Sequence, residues 1–334
     1  MALMAEPSEV SLKRRFLNLR TLLSFALALA FLVFLLYRLD VDLPATWARI
    51  KGVNPFLYLL AFLVYYASFP LRAWRWRLLL VNVGYEPSRL PTIWRLTSIF
   101  IINFFANCIL YARLGDAYRA YLLKEDTGAS FPRALGTVVA ERVLDLVTVL
   151  LLLIISGVGL WRQGGIFLSV LAIGVGVVAL GVLLLGAMGR FGLAFSRFLP
   201  LRLRSLYLPF QEGTLGSFRQ LLPVGLQGLG IWLLETGRFY LVALALGVHP
   251  SPFLLLFAAQ AVALLVAIPF TPAGLGLVEA GVAGVLMTAL TREEAWSVAL
   301  VDRTVSYLSL IAVGLVFFAL RQISRARSRS GQSP

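Results

Sequence analysis

Residues 165–189 read GIFLSVLAIGVGVVALGVLLLGAMG, an apolar run without a single charged residue. A helix needs about 20 such residues to cross the hydrocarbon core of a bilayer, so this stretch predicts a membrane-spanning helix. Because its apolar residues are continuous rather than alternating, the run is not typical of a strand in a membrane β-barrel. We therefore expect an all-α membrane protein.

The composition of the whole chain supports the same class. Of the 334 residues, 60% are hydrophobic and only 14% are charged, which is more apolar surface than a soluble domain of this length can bury. Further spans are predicted at 20–37, 54–71, 138–156, 223–246 and 298–320. Two more apolar stretches, 97–123 and 253–290, are interrupted by Gly, Pro, Asn and charged residues, and they predict broken hairpins.

The charges between the spans predict the orientation of the chain. Although the net charge is +14, no nucleic-acid-binding module is recognisable in the sequence, so no nucleic-acid partner is expected. Arg residues concentrate in the segments 72–95, 190–219 and 321–329, which places both termini in the cytoplasm. The loop 38–53 is mixed in charge. This arrangement holds only if each broken stretch enters and leaves on one face, as a re-entrant hairpin or as a pair of full spans.

Side chains suited to catalysis or metal binding are scarce. Cys108 is the only cysteine and His249 is the only histidine, which excludes an intrachain disulfide and makes a His/Cys metal site or a Ser-His-Asp triad a poor prediction. The Gly-rich lysine loop of nucleotide-binding proteins does not occur in the sequence. We expect no metal, no cofactor and no enzyme activity.

The two broken stretches resemble each other. YARLGDAYRA at 111–120 aligns with TPAGLGLVEA at 271–280, and the same offset carries Glu141-Arg142 onto Asp302-Arg303 without a gap. Each half would then hold three spans and one hairpin, and because three is odd the second half is inverted. Inverted repeats with broken helices are a recurring design of membrane transporters.

The repeat also predicts how the chain is divided. The apolar run that begins at Thr21 is too long for a typical signal segment and reads as an uncleaved first span. The expected parts are a disordered N-terminus at 1–12, a first membrane repeat at 13–160, a second, inverted repeat at 161–321, and a basic disordered tail at 322–334.

Candidate residues for a substrate pathway are the polar and helix-breaking side chains in or beside the two hairpins. Ionisable groups at membrane depth are costly, and arginine can donate two hydrogen bonds to one phosphate. The candidates are Asn103, Asn107, Arg113, Gly115, Asp116, Arg119, Glu141, Arg142, Asp145, Glu235, Arg238, Pro272, Gly274, Gly276, Glu279, Asp302 and Arg303.

Purely structural roles remain open for many of these residues. The asparagines could cap broken backbone, Arg113 and Arg119 could extend to the interface, and Glu279 could cap a half-helix. We expect Arg142 to pair with Asp116, Arg303 with Glu279, and Glu235 with Arg238. Trp74, Arg75 and Trp76 are predicted to form an interfacial belt. Whether these residues have a functional or a structural role, charged side chains within the membrane need partners of opposite charge.

These motifs resemble a known family. The R-L-G-D-x-x-R core at 113–119, the later E-R-x-x-D at 141–145 and the Pro-Gly hairpin before Glu279 are similar to the flippase-like membrane region of lysylphosphatidylglycerol synthases. That family usually has proline where Tyr111 stands, and the aminoacyl-transferase domain of the full-length synthases is absent from this sequence. The resemblance implies lipid translocation in a prokaryotic cytoplasmic membrane, not lysyl transfer.

Three functions follow as alternatives. The first is a flippase for a phospholipid or polyprenyl-linked lipid, most simply one with an anionic headgroup. The second is a membrane-embedded enzyme acting on a lipid phosphate, which would need a nucleophile or a cluster of metal-binding carboxylates. The third is a non-transporting subunit of a glycosyltransferase or lipid synthase. The sequence leaves open whether the chain forms a homo-oligomer.

Overall fold

The computed structural model describes residues 42–110, 113–160, 165–267 and 274–330, and all regular structure in these ranges is helical. The predicted span 20–37 lies outside the described residues, as do Tyr111 and Pro272. The helices are α1 (Leu43–Lys51), α2 (Pro55–Asn82), α3 (Ile93–Ile109), α4 (Leu114–Thr127), α5 (Phe131–Leu160), α6 (Gly165–Arg197), α7 (Leu201–Gly216), α8 (Leu221–Ala245), α9 (Pro252–Ala267), α10 (Leu277–Leu286), α11 (Arg292–Arg303) and α12 (Ser309–Ser330).

The predicted all-α polytopic membrane fold is confirmed. Within the described residues, four helical stretches are long and apolar enough to cross a membrane: Pro55–Asn82, Phe167–Arg197, Leu201–Ala245 and Arg292–Arg325. They contain the predicted spans 54–71, 165–189, 223–246 and 298–320 apart from one or two residues at the ends, namely 54, 165–166 and 246. The span predicted at 138–156 lies inside α5, whose 30 residues extend about 45 Å and exceed the hydrocarbon thickness.

One boundary prediction is wrong. The second span was expected to end at residue 71, with Arg72, Arg75 and Arg77 in a loop, but α2 continues to Asn82. Arg72 and Arg75 are buried within the helix, where acidic side chains of other helices pair with them. Arginines that are paired with carboxylates can lie within a helix. Arg72 and Arg75 therefore belong to a buried site and do not indicate the end of the span.

The first broken stretch folds back on itself. α3 and α4 pack together, and Arg95 near the start of α3 lies 3.0 Å from Asp126 at the end of α4. Arg321 of α12 contacts the same carboxylate at 2.5 Å. Beyond α4, the Ser130 carbonyl accepts a hydrogen bond from Tyr85, just past the end of α2. This hairpin therefore begins and ends beside the Asn82 end of α2.

The second broken stretch begins and ends at the other end of α2. Asn54, which precedes α2, donates a backbone hydrogen bond to Ala245 at the end of α8, shortly before α9 begins. After α10, Glu294 at the start of α11 lies 3.4 Å from Arg49, which belongs to α1. The two hairpins thus open toward opposite ends of α2.

The inverted repeat itself remains a prediction, although several features match the offset of 161 residues that the sequence suggests. The offset carries the start of α5 at Phe131 onto the start of α11 at Arg292. It also carries Arg113 onto Gly274, and both have left-handed backbone conformations, with φ of 53° and 71°. These are the correspondences that two related halves require.

Opposed hairpins predict opposite accessibility of their ends. In a Cys108→Ser background, we expect Lys124→Cys at the end of α4 and Ala289→Cys after α10 to react on different sides of the membrane, since both positions are exposed. Labelling of intact cells with a membrane-impermeant maleimide should modify only one of them. Both should react after permeabilisation, which controls for buried thiols. Labelling of both in intact cells would show that the hairpins open toward one face.

Candidate functional site

A cavity of about 360 Å³ lies between the two halves of the protein, where the hairpins approach each other. It is lined by side chains from α2, α3, α4, α5, α8, α9, α11 and α12, together with the π-helical turn Thr304–Leu308 that joins α11 to α12. Its apolar wall includes Leu146, Val149 and Val262. Its charged lining comprises Arg72, Arg113, Asp116, Arg142, Asp145, Glu235, Arg238 and Arg303. The cavity is therefore rich in arginine despite its position among membrane-spanning helices.

Asp116 is the centre of the first hairpin. Its carboxylate accepts hydrogen bonds from the side-chain amides of Asn103 and Asn107, at 3.0 and 3.2 Å. The same carboxylate also accepts hydrogen bonds from Arg113 Nε at 3.3 Å and from Arg142 Nε at 3.1 Å. The predicted pair between Arg142 and Asp116 thus forms. The asparagines bind this carboxylate through their amide nitrogens, which is a different role from the backbone capping that the sequence left open for them.

The start of α4 approaches α3 closely at Gly115. A Cβ atom at this position would overlap the carbonyl oxygen of Asn103 and the side chain of Asn107. Only glycine lets the two helices approach closely enough for Asp116 to reach both asparagines. The glycine of the R-L-G-D motif is therefore explained by packing next to the carboxylate.

A second set of carboxylates lies on α5. Arg142 Nη1 contacts Asp145 at 3.2 Å, and Arg75 of α2 contacts the other oxygen of Asp145 at 2.7 Å. Arg75 also contacts Glu141 at 3.0 Å, and Arg119 of α4 lies 3.2 Å from that carboxylate. These charges link α2, α4 and α5 into one connected network.

Arg119 is completely buried, which excludes the interfacial position that the sequence left open for this residue. Its guanidinium carbon lies 4.6 Å from the ring centre of Trp76 and 4.3 Å from that of Phe100. The aromatic faces and Glu141 together replace the water that an interfacial arginine would retain. The residue locks α4 against α2, α3 and α5.

Arg72 and Arg75 are buried charged residues of this site that the sequence interpretation missed, and Arg72 lines the cavity. The segment from Trp74 to Trp76 was expected to form an interfacial belt, but Arg75 and Trp76 are both 0% exposed and only Trp74 faces outward, at 57% exposure. Arg72 and Arg75 are three residues apart and therefore lie on one helix face. That spacing was a usable signal that both side chains point toward other helices.

The second half of the chain carries its own ion pairs. Glu235 contacts Arg238 at 3.3 Å, as predicted, and also contacts Arg72 of the first half at 2.6 Å. Arg238 pairs in addition with Asp302 of α11. Glu235 thereby connects α8 with α2, which joins the two halves at the cavity.

The predicted pair between Glu279 and Arg303 also forms. Arg303 Nε lies 2.6 Å from Glu279 Oε1, while Glu279 Oε2 accepts a hydrogen bond of 2.6 Å from the backbone amide of Gly276. The carboxylate therefore caps the start of α10 and neutralises an arginine of the cavity at the same time. Gly276 has a φ of 85°, a conformation suited to glycine.

Arg113 connects the two hairpins. Its backbone is left-handed, with a φ of 53°, which is uncommon for a residue other than glycine and costs about 1–3 kcal/mol. From this position Nη1 donates a hydrogen bond of 3.4 Å to the carbonyl of Val266, near the end of α9. A strained residue thus joins the interrupted helix of one hairpin to that of the other.

The structure divides the described candidates into three groups. Asn107 and seven charged residues line the cavity, these being Arg113, Asp116, Arg142, Asp145, Glu235, Arg238 and Arg303. Behind them lie supporting residues, namely Asn103, Gly115, Arg119, Glu141, Glu279 and Asp302. Gly274 and Gly276 flank the start of α10 and do not line the cavity. Among the residues described, no three His, Cys, Asp or Glu side chains are placed to hold a metal ion.

Comparison with known proteins gives consistent matches over most of the chain. The family model described as the lysylphosphatidylglycerol synthase TM region matches residues 21–314. A UPF0104 membrane protein of Methanocaldococcus jannaschii, MJ1078, is 32% identical over 219 residues, which cover 64% of this chain and 93% of the relative. A UPF0104 membrane protein of Methanothermobacter thermautotrophicus is 27% identical, covering 90% of this chain and 93% of the relative. The glycosyltransferase AglD of Haloferax volcanii is 29% identical over 86% of this chain. The match covers 53% of AglD, so this chain spans about half the length of that relative.

Proposed function

Because the chain belongs to the family of the lysylphosphatidylglycerol synthase transmembrane region, we propose that it is a lipid flippase, which moves a phospholipid or polyprenyl-linked lipid with an anionic headgroup across the bilayer. The observation that carries this proposal is the cavity between the two opposed hairpins. Five arginines and three carboxylates of the described residues line it. Charges at membrane depth are expensive and characteristically mark pathways for polar substrates.

The chemistry of the lining suits a lipid headgroup. Arginine presents a planar fork of donors that matches phosphate oxygens. The apolar side chains of Leu146, Val149 and Val262 border the same cavity and can contact acyl or prenyl chains. A helix that ends at membrane depth is tolerated where it lines a cavity, and α3 ends beside this cavity, at Ile109. One cavity therefore offers surfaces for both parts of an amphipathic lipid.

The orientation is part of the same proposal. The excess of arginine in the segments 190–219 and 321–329 supports an orientation with both termini in the cytoplasm. The first hairpin would then open toward the cytoplasm and the second toward the outside. In the labelling experiment above, Ala289→Cys would be the position that reacts in intact cells.

Transbilayer movement can be measured directly. The purified chain is reconstituted into vesicles that contain phosphatidylglycerol carrying a fluorophore on its acyl chain, so that the headgroup stays unmodified. Dithionite then bleaches only the outer leaflet. We expect bleaching to proceed beyond the half of the signal reached in protein-free vesicles. Bleaching that stops at one half in vesicles with folded protein, for both phosphatidylglycerol and polyprenyl-phosphate probes, would contradict the flippase proposal.

A second candidate is a subunit that supports a glycosyltransferase without moving lipid. It is favoured by the relative named glycosyltransferase AglD, of which this chain spans about half. This role predicts stable co-purification with a glycosyltransferase and no bleaching beyond one half. We propose no catalytic step for the chain itself, because the carboxylates that line the cavity, Asp116, Asp145 and Glu235, are each engaged by arginine.

A further inference from the structure

The ion pairs of the first half do not balance. We define the arginine cluster as the connected network of Arg75, Arg113, Asp116, Arg119, Glu141, Arg142 and Asp145. It holds four arginines and three carboxylates, which leaves one positive charge without an anionic counterpart among the described residues. An uncompensated charge inside a membrane protein is costly.

The other charges around the cavity do balance. Arg72 and Arg238 face Glu235 and Asp302, two cations against two anions. Arg303 faces Glu279. The surplus within the described part of the site therefore belongs to the arginine cluster.

The surplus charge faces the cavity. Arg75 and Arg119 have side-chain exposures of 1% and 0%, and both are held against Glu141. The side chains of Arg113 and Arg142 are 28% and 25% exposed, and both line the cavity. Arg142 also contacts Asp145, whereas Asp116 is the only carboxylate paired with Arg113 among the described residues, so the missing anion belongs beside Arg113 and Arg142.

The backbone adds to the positive potential at the same place. α4 begins at Leu114, and Arg113, its N-cap residue, makes no side-chain capping hydrogen bond. The first amides of a helix carry a partial positive charge and favour a nearby anion. Asp116 in the first turn of α4 offsets part of this charge, and what remains acts in the same direction as the two guanidinium groups.

Resting on the flippase role proposed above, we propose that Arg113 and Arg142 bind the headgroup of a lipid with a net charge of −1, a phosphodiester such as that of phosphatidylglycerol. One such headgroup brings the net charge of the arginine cluster from +1 to zero. A lysylated phosphatidylglycerol, with one phosphate and two ammonium groups, raises it to +2. Because arginines already engage Asp116, Asp145 and Glu235, an incoming ammonium group finds no unpaired carboxylate in the cavity lining. The site therefore selects against cationic headgroups.

Equilibrium binding tests this selectivity independently of transport. The purified full chain in neutral detergent is titrated with short-chain phosphatidylglycerol, lysyl-phosphatidylglycerol and zwitterionic phosphatidylcholine. We expect phosphatidylglycerol to bind at least about ten-fold more tightly than the lysylated lipid, with phosphatidylcholine between them. Glycerophosphoglycerol, the water-soluble headgroup, should compete weakly. Competition as strong as that of the lipid would show a site for free phosphodiesters and would overturn the lipid assignment.

A matched pair of variants locates the binding site. Arg113→Gln removes the surplus charge, so this variant should bind phosphatidylglycerol at least about ten-fold more weakly than the wild type. Its melting temperature without lipid should equal that of the wild type. Arg204→Gln makes the same change of charge at an exposed position on α7 and should bind like the wild type. If Arg113→Gln does not fold, the comparison of lipids on the wild-type protein still decides the question.

The outcomes separate this inference from the proposed function. Equal affinity of the wild-type protein for phosphatidylglycerol and its lysylated form would overturn the charge selectivity, even if both lipids are transported. Selective binding without transbilayer movement would support the headgroup site and contradict the flippase role.

Discussion

Replacement of Glu141 by glutamine is expected to destabilise the protein by about 3–5 kcal/mol, the cost of removing one partner from a buried ion pair. The Glu141 side chain is completely buried, and its carboxylate lies 3.0 Å from Arg75 and 3.2 Å from Arg119. A neutral amide would leave two buried guanidinium groups facing each other across the junction of α2, α4 and α5. The fraction of protein that elutes as a monodisperse peak after heating in detergent would measure the loss.

A matched control separates burial from the loss of a carboxylate. Glu212→Gln removes the partner of Arg133 at 2.6 Å, but those side chains are 61% and 34% exposed. Exposed ion pairs contribute at most about 1 kcal/mol, so this variant should melt close to the wild type. In Glu141→Gln, a further Arg119→Met change should recover part of the stability by removing one buried cation. Equal melting of Glu141→Gln and Glu212→Gln would show that the arginine cluster does not stabilise the fold.

The sequence was sufficient to predict the class of the fold. Apolar runs of the length that a bilayer requires leave few alternatives, and the predicted spans that fall among the described residues coincide with long helices to within two residues. The family resemblance, based on the R-L-G-D-x-x-R and E-R-x-x-D motifs, is also confirmed by the match over residues 21–314. The helix boundaries were less accurate, because a single rule for Arg in loops was applied to Arg72 and Arg75, which lie within α2.

Part of the candidate site could also be predicted. Arg142 with Asp116 and Arg303 with Glu279 were expected to pair because a charge at membrane depth needs a neighbour of opposite sign, and each acid belongs to the same half as its arginine. Only the presence of the charges and the order of the helices were needed. The structure adds the distances, not the identity of these pairs.

Contacts between distant helices could not be predicted. Arg75 reaches Asp145, which is 70 residues away, and Arg72 reaches Glu235, which is 163 residues away. Such pairs depend on which helices pack together, and the spacing of residues within one helix does not indicate its neighbours. Glu235 illustrates the limit, because its local partner Arg238 was predicted, whereas its contact with Arg72, which connects the halves, was not.

Arg142→Gln is expected to reduce lipid translocation at least about ten-fold while the protein stays folded. Arg142 lies at the cavity and bridges Asp116 and Asp145, at 3.1 and 3.2 Å. Without it, Asp116 keeps its hydrogen bonds from Asn103, Asn107 and Arg113, so no buried carboxylate is left unpaired. The cluster loses its surplus charge and with it the attraction for an anionic headgroup. The dithionite assay measures the rate, normalised to the amount of monodisperse protein in the vesicles.

Two further variants decide whether charge or geometry matters at this position. Arg142→Lys keeps the charge but cannot contact two carboxylates and a phosphate through one planar fork, so it should recover translocation only in part. Arg133→Gln removes an arginine whose carboxylate partner is largely exposed, and it should leave the rate unchanged. Translocation by Arg142→Gln at the wild-type rate would exclude this arginine from the pathway and would move the lipid route away from the cavity. Full activity of Arg142→Lys would instead show that the positive charge alone is sufficient.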